Sequence, residues 1–386
     1  MSRLAHRLIE DASQFGSLLE QFQGEPVVGV DTEAASFHRY RDRVYLLQLS
    51  SRTETAVVDP LRLGGLPGLG DLLANPGVEF IFHDADYDLR LLYRELGFSV
   101  ARLFDTRVAA QFLNEPAIGL AALLERWFGV RTDKRFQRAD WSARPLSPDM
   151  VAYAATDTRY LPELRDLLRE RVERMGRLSW VEEECQLLTQ VRWAEPESPE
   201  VAFLKVKGAR ALDPRGLAVL REVFLWRERT AARFDRAPFR VLGNETLLAL
   251  AAERPTTPEV LTRIRGVGRE TTERRWSDVL AAIERGLQVP ERELPRFVRG
   301  PRVRRDPQAE ARLARLKAIR ATLAGRHDLP TGLLCPNATL EAIARADPLP
   351  VSLEQLTQVQ GMRRWQVEVL GPDLLSALHQ PGAASR

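Results

Sequence analysis

Asp31 and Glu33 in PVVGVDTEA, Asp88 in FIFHDADYDLRLL, and Tyr153 and Asp157 in VAYAATDTRY bring four carboxylates and one phenol into three short clusters. Carboxylates at the end of an apolar strand are rare in soluble proteins unless a cation meets them. If the clusters converge, their charges repel unless a cation neutralises them, and an oxygen-only ligand set suits Mg²⁺ or Mn²⁺ rather than zinc. The chemistry this points to is that of a site built around a hard divalent cation. Tyr153 supplies a hydroxyl that titrates near pH ~10 when free, so it suits orienting a water better than deprotonating one.

Local periodicity places the groups. Val27, Val28 and Val30 read as a strand, and residues two apart at its end, Asp31 and Glu33, share one face. Tyr153 and Asp157 are four apart in an alanine-rich helical stretch and share a helix face. Asp88 follows the apolar run Val78, Phe80, Ile81, Phe82 where a helix begins. Asp84 and Asp86 lie in the same segment. They read as acids favoured by a helix N-terminus, and a later helix start would make either one the ligand instead. His83 reads as a core or supporting residue, and Tyr45 and Gln48, on the neighbouring strand, as packing.

The remaining elements follow from the same patterns. Strands are expected at 26–33, 44–50, 55–59 and 78–83, and helices at 84–96, 106–114, 120–128 and from 148 to about 193. Ser147-Pro148 opens the last with a capping residue and a first-turn proline. A mixed α/β sheet with helices on both faces is the expected fold of this half. Pro196 and Pro199 among acids mark a linker over 194–207.

The rest of the chain reads as all-helical and repeats itself. LGNETLLALAA from Leu242 parallels LCPNATLEAIA from Leu334, pairing Asn244 with Asn337 and Leu247 with Leu340. LTRIRG from Leu261 parallels LTQVQG from Leu356. Two helical modules, 208–290 and 309–380, are expected, joined by a Pro/Arg-rich linker at 291–308. The α/β half spans 1–193, and 381–386 form a tail.

Composition excludes several classes. The 386 residues are 44% hydrophobic, enough for two or three ordinary cores. No 18-residue apolar run exists, so no membrane span is expected. Acids at positions 10 and 11 argue against a signal peptide. Two cysteines, Cys185 and Cys335, far apart in sequence, argue against a disulfide framework and for a reducing, cytoplasmic setting. Charge is uneven: residues 1–206 hold 25 Lys+Arg against 32 Asp+Glu, and residues 207–386 hold 31 against 21. An acidic half beside a basic half suits a polyanionic substrate, although arginine-rich helices are also common as plain solvated faces.

At the three clusters the chain resembles the DEDD exonuclease superfamily, tyrosine branch. The motifs are Asp31-Thr32-Glu33, Asp88 five residues after His83, and Tyr153 to Asp157. DKRFQRADWSARPLSPDMVAYAATDTRYL, from Asp133 to Leu161, and FDTRVAAQFL, from Phe104, resemble the ribonuclease D family within it. The helical repeats resemble tandem HRDC domains.

The resemblance implies a ribonuclease H-like exonuclease domain followed by two HRDC-like domains. It selects Asp88 over Asp84 and Asp86. It implies two divalent metal ions, Mg²⁺ or Mn²⁺. Asp31, Glu33 and Asp157 are to hold one, Asp31 is to bridge, Asp88 is to position the second, and Tyr153 is to orient the water. It implies a 3′–5′ exoribonuclease, working as a monomer, that trims tRNA precursors and other structured RNA to release nucleoside 5′-monophosphates. Lys134, Arg135, Arg138, Trp141 and Arg144, in the Asp133–Leu161 stretch, are candidate RNA contacts, with surface ion pairs and loop packing the competing readings. The alternatives are a DNA-directed repair exonuclease and a non-catalytic RNA-binding protein.

Overall fold

The computed structural model describes residues 6–268, 275–297 and 306–379. Its N-terminal half is built on a six-stranded mixed sheet in the order β1-β4-β3-β2-β5-β6. The strands are β1 (His6–Ile9), β2 (Val27–Glu33), β3 (Leu46–Ser50), β4 (Thr55–Val58), β5 (Glu79–Phe82) and β6 (Leu103–Asp105). β2, β3 and β4 form an antiparallel meander; β1 joins β4, β5 joins β2 and β6 joins β5, all in parallel.

β2 is the strand the site depends on. Its valines are buried, as β-branched residues are on a covered pleat. It pairs with β5 only as far as Gly29 opposite Ile81, but stays with β3 until Glu33 opposite Leu46. Asp31–Glu33 therefore run on past the end of β5, with one edge supported and the other open.

Helices cover both faces: α1 (Ala12–Gln23), α2 (Asp86–Leu96), α3 (Thr106–Phe112), α4 (Leu120–Phe128), α5 (Pro148–Arg159), α6 (Leu161–Arg174) and α7 (Leu178–Leu188). Two expectations change here. The single helix expected from 148 to about 193 is three, because Tyr160 leaves helical geometry, Pro162 sits in the first turn of α6, and Gly176 turns with φ 68°. β1, α1 and β6 are additions that the sequence patterns did not single out.

α5 lies across β2, β3 and β4, and its approach depends on one glycine. A Cβ on Gly29 would lie 3.0 Å from the Thr158 carbonyl oxygen and 3.1 Å from Leu161 Cβ. Ser50 and Thr158 hydroxyls, 2.7 Å apart, pin the same end of the helix to β3. Gly29 shares its strand face with Asp31 and Glu33, so this close approach sets how near Asp157 comes to them.

The first helical module holds α8 (Pro214–Arg233), α9 (Asn244–Glu253) and α10 (Trp276–Gln288); the second holds α11 (Pro307–His327), α12 (Asn337–Arg345) and α13 (Arg364–His379). Each is closed by a buried arginine on its long helix. Arg227 donates to the Leu242 carbonyl (3.4 Å) and to Asn244 Oδ1 (2.8 Å); Arg320 donates to the Cys335 carbonyl (2.6 Å) and to Asn337 Oδ1 (3.0 Å). The paired asparagines of the sequence repeat are thus acceptors for paired arginines.

The modules attach differently. The core of the first is separate, whereas the core of the second is continuous with that of the sheet domain. Trp365 stacks on Trp180 at 5.1 Å and meets Phe112 edge-on at 5.2 Å.

Gly29→Val is expected to push α5 away from β2. A displacement of a few tenths of an ångström at the reacting groups should lower kcat on the order of tenfold or more, with a fall in melting temperature. A variant with wild-type kcat would show that this approach does not set the site geometry.

Candidate active site

Asp31 and Glu33 project from the free end of β2, and Asp157 from α5 above them. Carboxylate oxygens of these three residues lie within 4.8 Å of one another. Each residue is half-buried. Among the described residues, no lysine or arginine pairs with any of them. Burial pushes the Asp31 carboxyl well up, and the charges of Asp88, Asp157 and Glu33 add to the effect. Glu33 is raised by burial and then by Asp157 and Asp88. Burial raises Asp157 to about 7. Three clustered acids with raised affinity for protons and no cationic partner fit a hard divalent cation, whose charge replaces that of the protons.

Asp88, only 7% exposed, enters from the first turn of α2. Its Oδ1 accepts from the Thr32 backbone N–H at 3.2 Å and from the Thr32 hydroxyl. The geometry of β2 explains the bond. Glu33 bonds β3 through its carbonyl, which accepts from Tyr45 N, so the intervening Thr32 N–H faces the β5 side. β5 has already ended there, and Asp88 caps the N–H that would otherwise be an orphan. Burial raises Asp88 to about 7, with the Thr32 bonds opposing the shift.

The three acids of the second segment have separate roles. Asp84 pairs with Arg107, and Asp86 binds Arg90 at 2.7 Å. Asp88 alone of the three faces inward. The turn before α2 is held by Asp105, whose buried carboxylate accepts from Asp84 N (3.1 Å), Ala85 N (2.8 Å) and, as the N-cap of α3, Arg107 N (2.8 Å) and Val108 N (3.3 Å). His83 is structural. The Thr106 hydroxyl donates to the Phe82 carbonyl (3.0 Å), so His83 Nδ1, 2.9 Å away, must be the donor to Thr106. Burial lowers this imidazole to about 4, and it is neutral at pH 7.

Tyr153, one turn before Asp157 on α5, is wedged between Trp141, stacked at 6.0 Å, and Phe136 at 5.7 Å. Burial raises its hydroxyl above the ordinary phenol range, and the charges of Asp157, Glu33 and Asp31 raise it further. At neutral pH the group is a hydrogen-bond donor.

The Asp133–Leu161 stretch departs from the expected RNA surface. Trp141 is 1% exposed and serves as the packing partner of Tyr153, so it offers no face to a base. Arg144 is committed to buried Asp59 through two bonds of 2.6 and 2.9 Å, and also bonds the Tyr45 and Trp141 carbonyls. Such a fully engaged guanidinium is not available to a phosphate. Arg135 pairs with Asp133 at the surface, and Arg138 lies over the Phe37 ring at 5.1 Å. The side chain of Lys134 lies outside the described residues. Gln48 is buried opposite Asp31 with no hydrogen-bond partner for its amide among the described residues.

Sequence reasoning missed Thr32 and Asp105. Thr32 carried no signal, being an ordinary residue between two acids. Asp105 carried one, as an aspartate directly before a helical run.

The chain is similar to known proteins over most of its length. The 3′–5′ exonuclease family matches residues 6–173, and the HRDC domain family matches 216–283 and 309–378. The ribonuclease D of Gluconacetobacter diazotrophicus is 35% identical over 92% of this chain and 89% of its own. That of Nitrobacter hamburgensis is 32% identical over 96% and 95%. The chain belongs to the ribonuclease D family. The crystal structure of Escherichia coli ribonuclease D, described as an exoribonuclease involved in structured RNA processing, superposes with a TM-score of 0.70. It is 26% identical and is covered over 98% of its chain. The ribonuclease D match spans the sheet domain and both helical modules. Among the described residues, no helix is long and apolar enough to cross a membrane.

The raised carboxyls make the metal-free fold pH-dependent. Asp88 and Asp157 keep protons up to about pH 7 in the fold and up to only about 4 when unfolded. Metal-free stability should therefore fall as pH rises from about 4 to 7, then level off. Added Mg²⁺ or Mn²⁺ should raise the melting temperature more at pH 8 than at pH 5.5. Asp157→Asn should melt higher than wild type without metal at pH 8 and lose most of the metal-induced gain. Equal metal shifts at both pH values would count against a carboxylate-held cation.

Proposed function

We propose that this chain is a metal-dependent 3′–5′ exoribonuclease whose site is formed by Asp31, Glu33, Asp88, Tyr153 and Asp157. The observation that carries the reading is the uncompensated trio of Asp31, Glu33 and Asp157 beside Asp88. Asp31, Glu33 and Asp157 would hold one divalent cation, and Asp31 and Asp88 would help to hold a second. When bound, two such ions, Mg²⁺ or Mn²⁺, would supply the charge that neutralises the scissile phosphate and would acidify the attacking water.

The chain's own residues do the rest. The four acids stay ionised once cations replace their protons, and they fix the ions at the end of a rigid strand. Tyr153, still protonated, donates a hydrogen bond that orients the water for in-line attack, while Trp141 and Phe136 fix its ring. Water oxygen bonds to phosphorus, the bond from phosphorus to the preceding O3′ breaks, and O3′ takes a proton. The product is a nucleoside 5′-monophosphate and an RNA one residue shorter.

RNA, and in particular the 3′ ends of tRNA precursors and other structured RNA, is the substrate we assign. The family supports it, as does a basic helical half joined to an acidic catalytic half. We read the protein as a cytoplasmic monomer.

A 5′-labelled, 3′-extended tRNA and its DNA counterpart, incubated with Mg²⁺, Mn²⁺ or chelator, test the assignment. A metal-dependent ladder shortening RNA from its 3′ end is expected. Asp31→Ala should reduce it by several orders of magnitude, and Tyr153→Phe by about 10²-fold with smaller change in KM. Preferential shortening of DNA would move the substrate to repair intermediates. Tight RNA binding with no shortening under either metal would leave a binding protein.

A further inference from the structure

Gln48 is a polar residue in an apolar place. It lies in the middle of β3, opposite Asp31 of β2 on one side and Val57 of β4 on the other. Residues opposite one another in antiparallel strands share a face, with Cβ atoms about 5 Å apart. Gln48 therefore shares the α5 side of the sheet with Asp31 and Glu33, and with Leu46 and Ser50 of its own strand. Leu46, Val57, Ala154 and Ala155 form the apolar wall on that side, and each is fully buried. Gln48 is itself 0% exposed, and among the described residues neither its Nε2 nor its Oε1 has a hydrogen-bond partner.

Packing gives no reason for this amide. An unpaired buried amide is destabilising, whereas an apolar side chain of similar size is not. The hydroxyls beside it show how this face treats polar groups that serve the fold: Ser50 bonds Thr55 at 3.0 Å and Thr158 at 2.7 Å. Gln48, one strand position pair away, is left without such a partner. Its one ionisable neighbour across the strand pair is Asp31.

Asp31 gives the amide a use. It is the acid assigned to both cations, so the direction of its carboxylate would bear on two ions at once. A carboxylate that holds cations accepts hydrogen bonds and donates none. An amide N–H can orient it without bringing a positive charge to compete with the ions, as a lysine or arginine would. Asp88 already has support of this kind from the Thr32 N–H at 3.2 Å.

We propose that Gln48 is a positioning residue: its Nε2–H donates to the Asp31 carboxylate when cations are bound and fixes the direction in which Asp31 presents its oxygens. The role rests on the metal-dependent reading of the site.

The test reads cation binding directly, on the full chain without RNA. Mn²⁺ titrations followed by EPR of the free ion compare wild type, Gln48→Met, Gln48→Asn and Leu46→Met, each with its melting temperature in chelator. Gln48→Met keeps the volume and removes the amide. Gln48→Asn keeps an amide but draws it back by one methylene. Leu46→Met is an apolar swap in the same wall, opposite Glu33. Gln48→Met should melt no lower than wild type in chelator, yet bind Mn²⁺ about tenfold or more weakly. Gln48→Asn should lose affinity in the same direction, and Leu46→Met should bind as wild type does. On a short oligonucleotide, Gln48→Met should lower kcat with little change in KM. Wild-type Mn²⁺ affinity in either Gln48 variant, or an equal loss in Leu46→Met, would overturn the proposal. So would a Gln48→Met protein that melts well below wild type in chelator, since the amide would then serve the metal-free fold. If wild type binds Mn²⁺ and Gln48→Met binds it weakly, but neither shortens any nucleic acid, the exonuclease reading fails and the positioning role stands. Absence of Mn²⁺ binding in wild type would end both.

Discussion

Carboxylates held together without a cationic side chain are the constraint on which this structure depends. Asp31, Glu33 and Asp157 are packed closely enough that Asp157 adds to the proton affinity of both strand acids, and Glu33 to that of Asp31, beyond what burial does. A fold tolerates such a cluster only if its framework is stable enough to absorb the repulsion, or if a ligand removes it. Both conditions shape the sheet domain. The acids sit at the end of the strand with the most support, β2, which lies between neighbours on both edges for its first residues and is covered by α5.

Positioning is achieved by satisfying backbone groups rather than by adding contacts among the acids. Thr32 offers an N–H that no strand takes up, and Asp88 accepts it. Asp105 collects N–H groups from the turn before α2 and from the start of α3, so the helix carrying Asp88 is fixed to the end of β6. Gly29 lets the α5 backbone come close enough for Asp157 to reach the strand. Each device is local and cheap in sequence, and together they bring residues from three separate segments to one point.

That economy decides what was legible. Apolar runs gave β2, β3, β4 and β5 almost to the residue, because buried strands need continuous hydrophobic sequence. β1 and β6 are four and three residues long, too short for any periodicity to stand out. The continuous helical pattern after Pro148 concealed two breaks, one of them at Tyr160, which has no breaker signature of its own. The acids could be found because their spacing matches a known pattern. Thr32 could not, since its partner is 56 positions away and its side chain is ordinary. Arg144 looked like a phosphate ligand for the same reason. Its commitment to Asp59, 85 positions earlier, exists only in three dimensions.

Duplication followed by divergence accounts for the helical half. The arginine–asparagine pairing is retained in both copies because it satisfies buried backbone carbonyls, and losing either partner would strand a buried polar group. Outer faces carry no such penalty. In one copy, His327 at the end of the long helix and Trp365 at the start of the last helix contact Trp180, and the core is continuous with that of the sheet domain. In the other, Phe234 and Trp276 at the matching places are exposed, and the core is separate. The first module touches the sheet domain through polar bonds such as Tyr40 N to Asp235 (3.1 Å) and Ala237 N to His38 O (3.2 Å). Those bonds meet the segment just downstream of Glu33, so the module's placement and the catalytic strand are joined through a few residues of backbone. An interface of that kind orients a module without burying its arginines, which leaves the positive charge of this half where solvent and a polyanion can reach it.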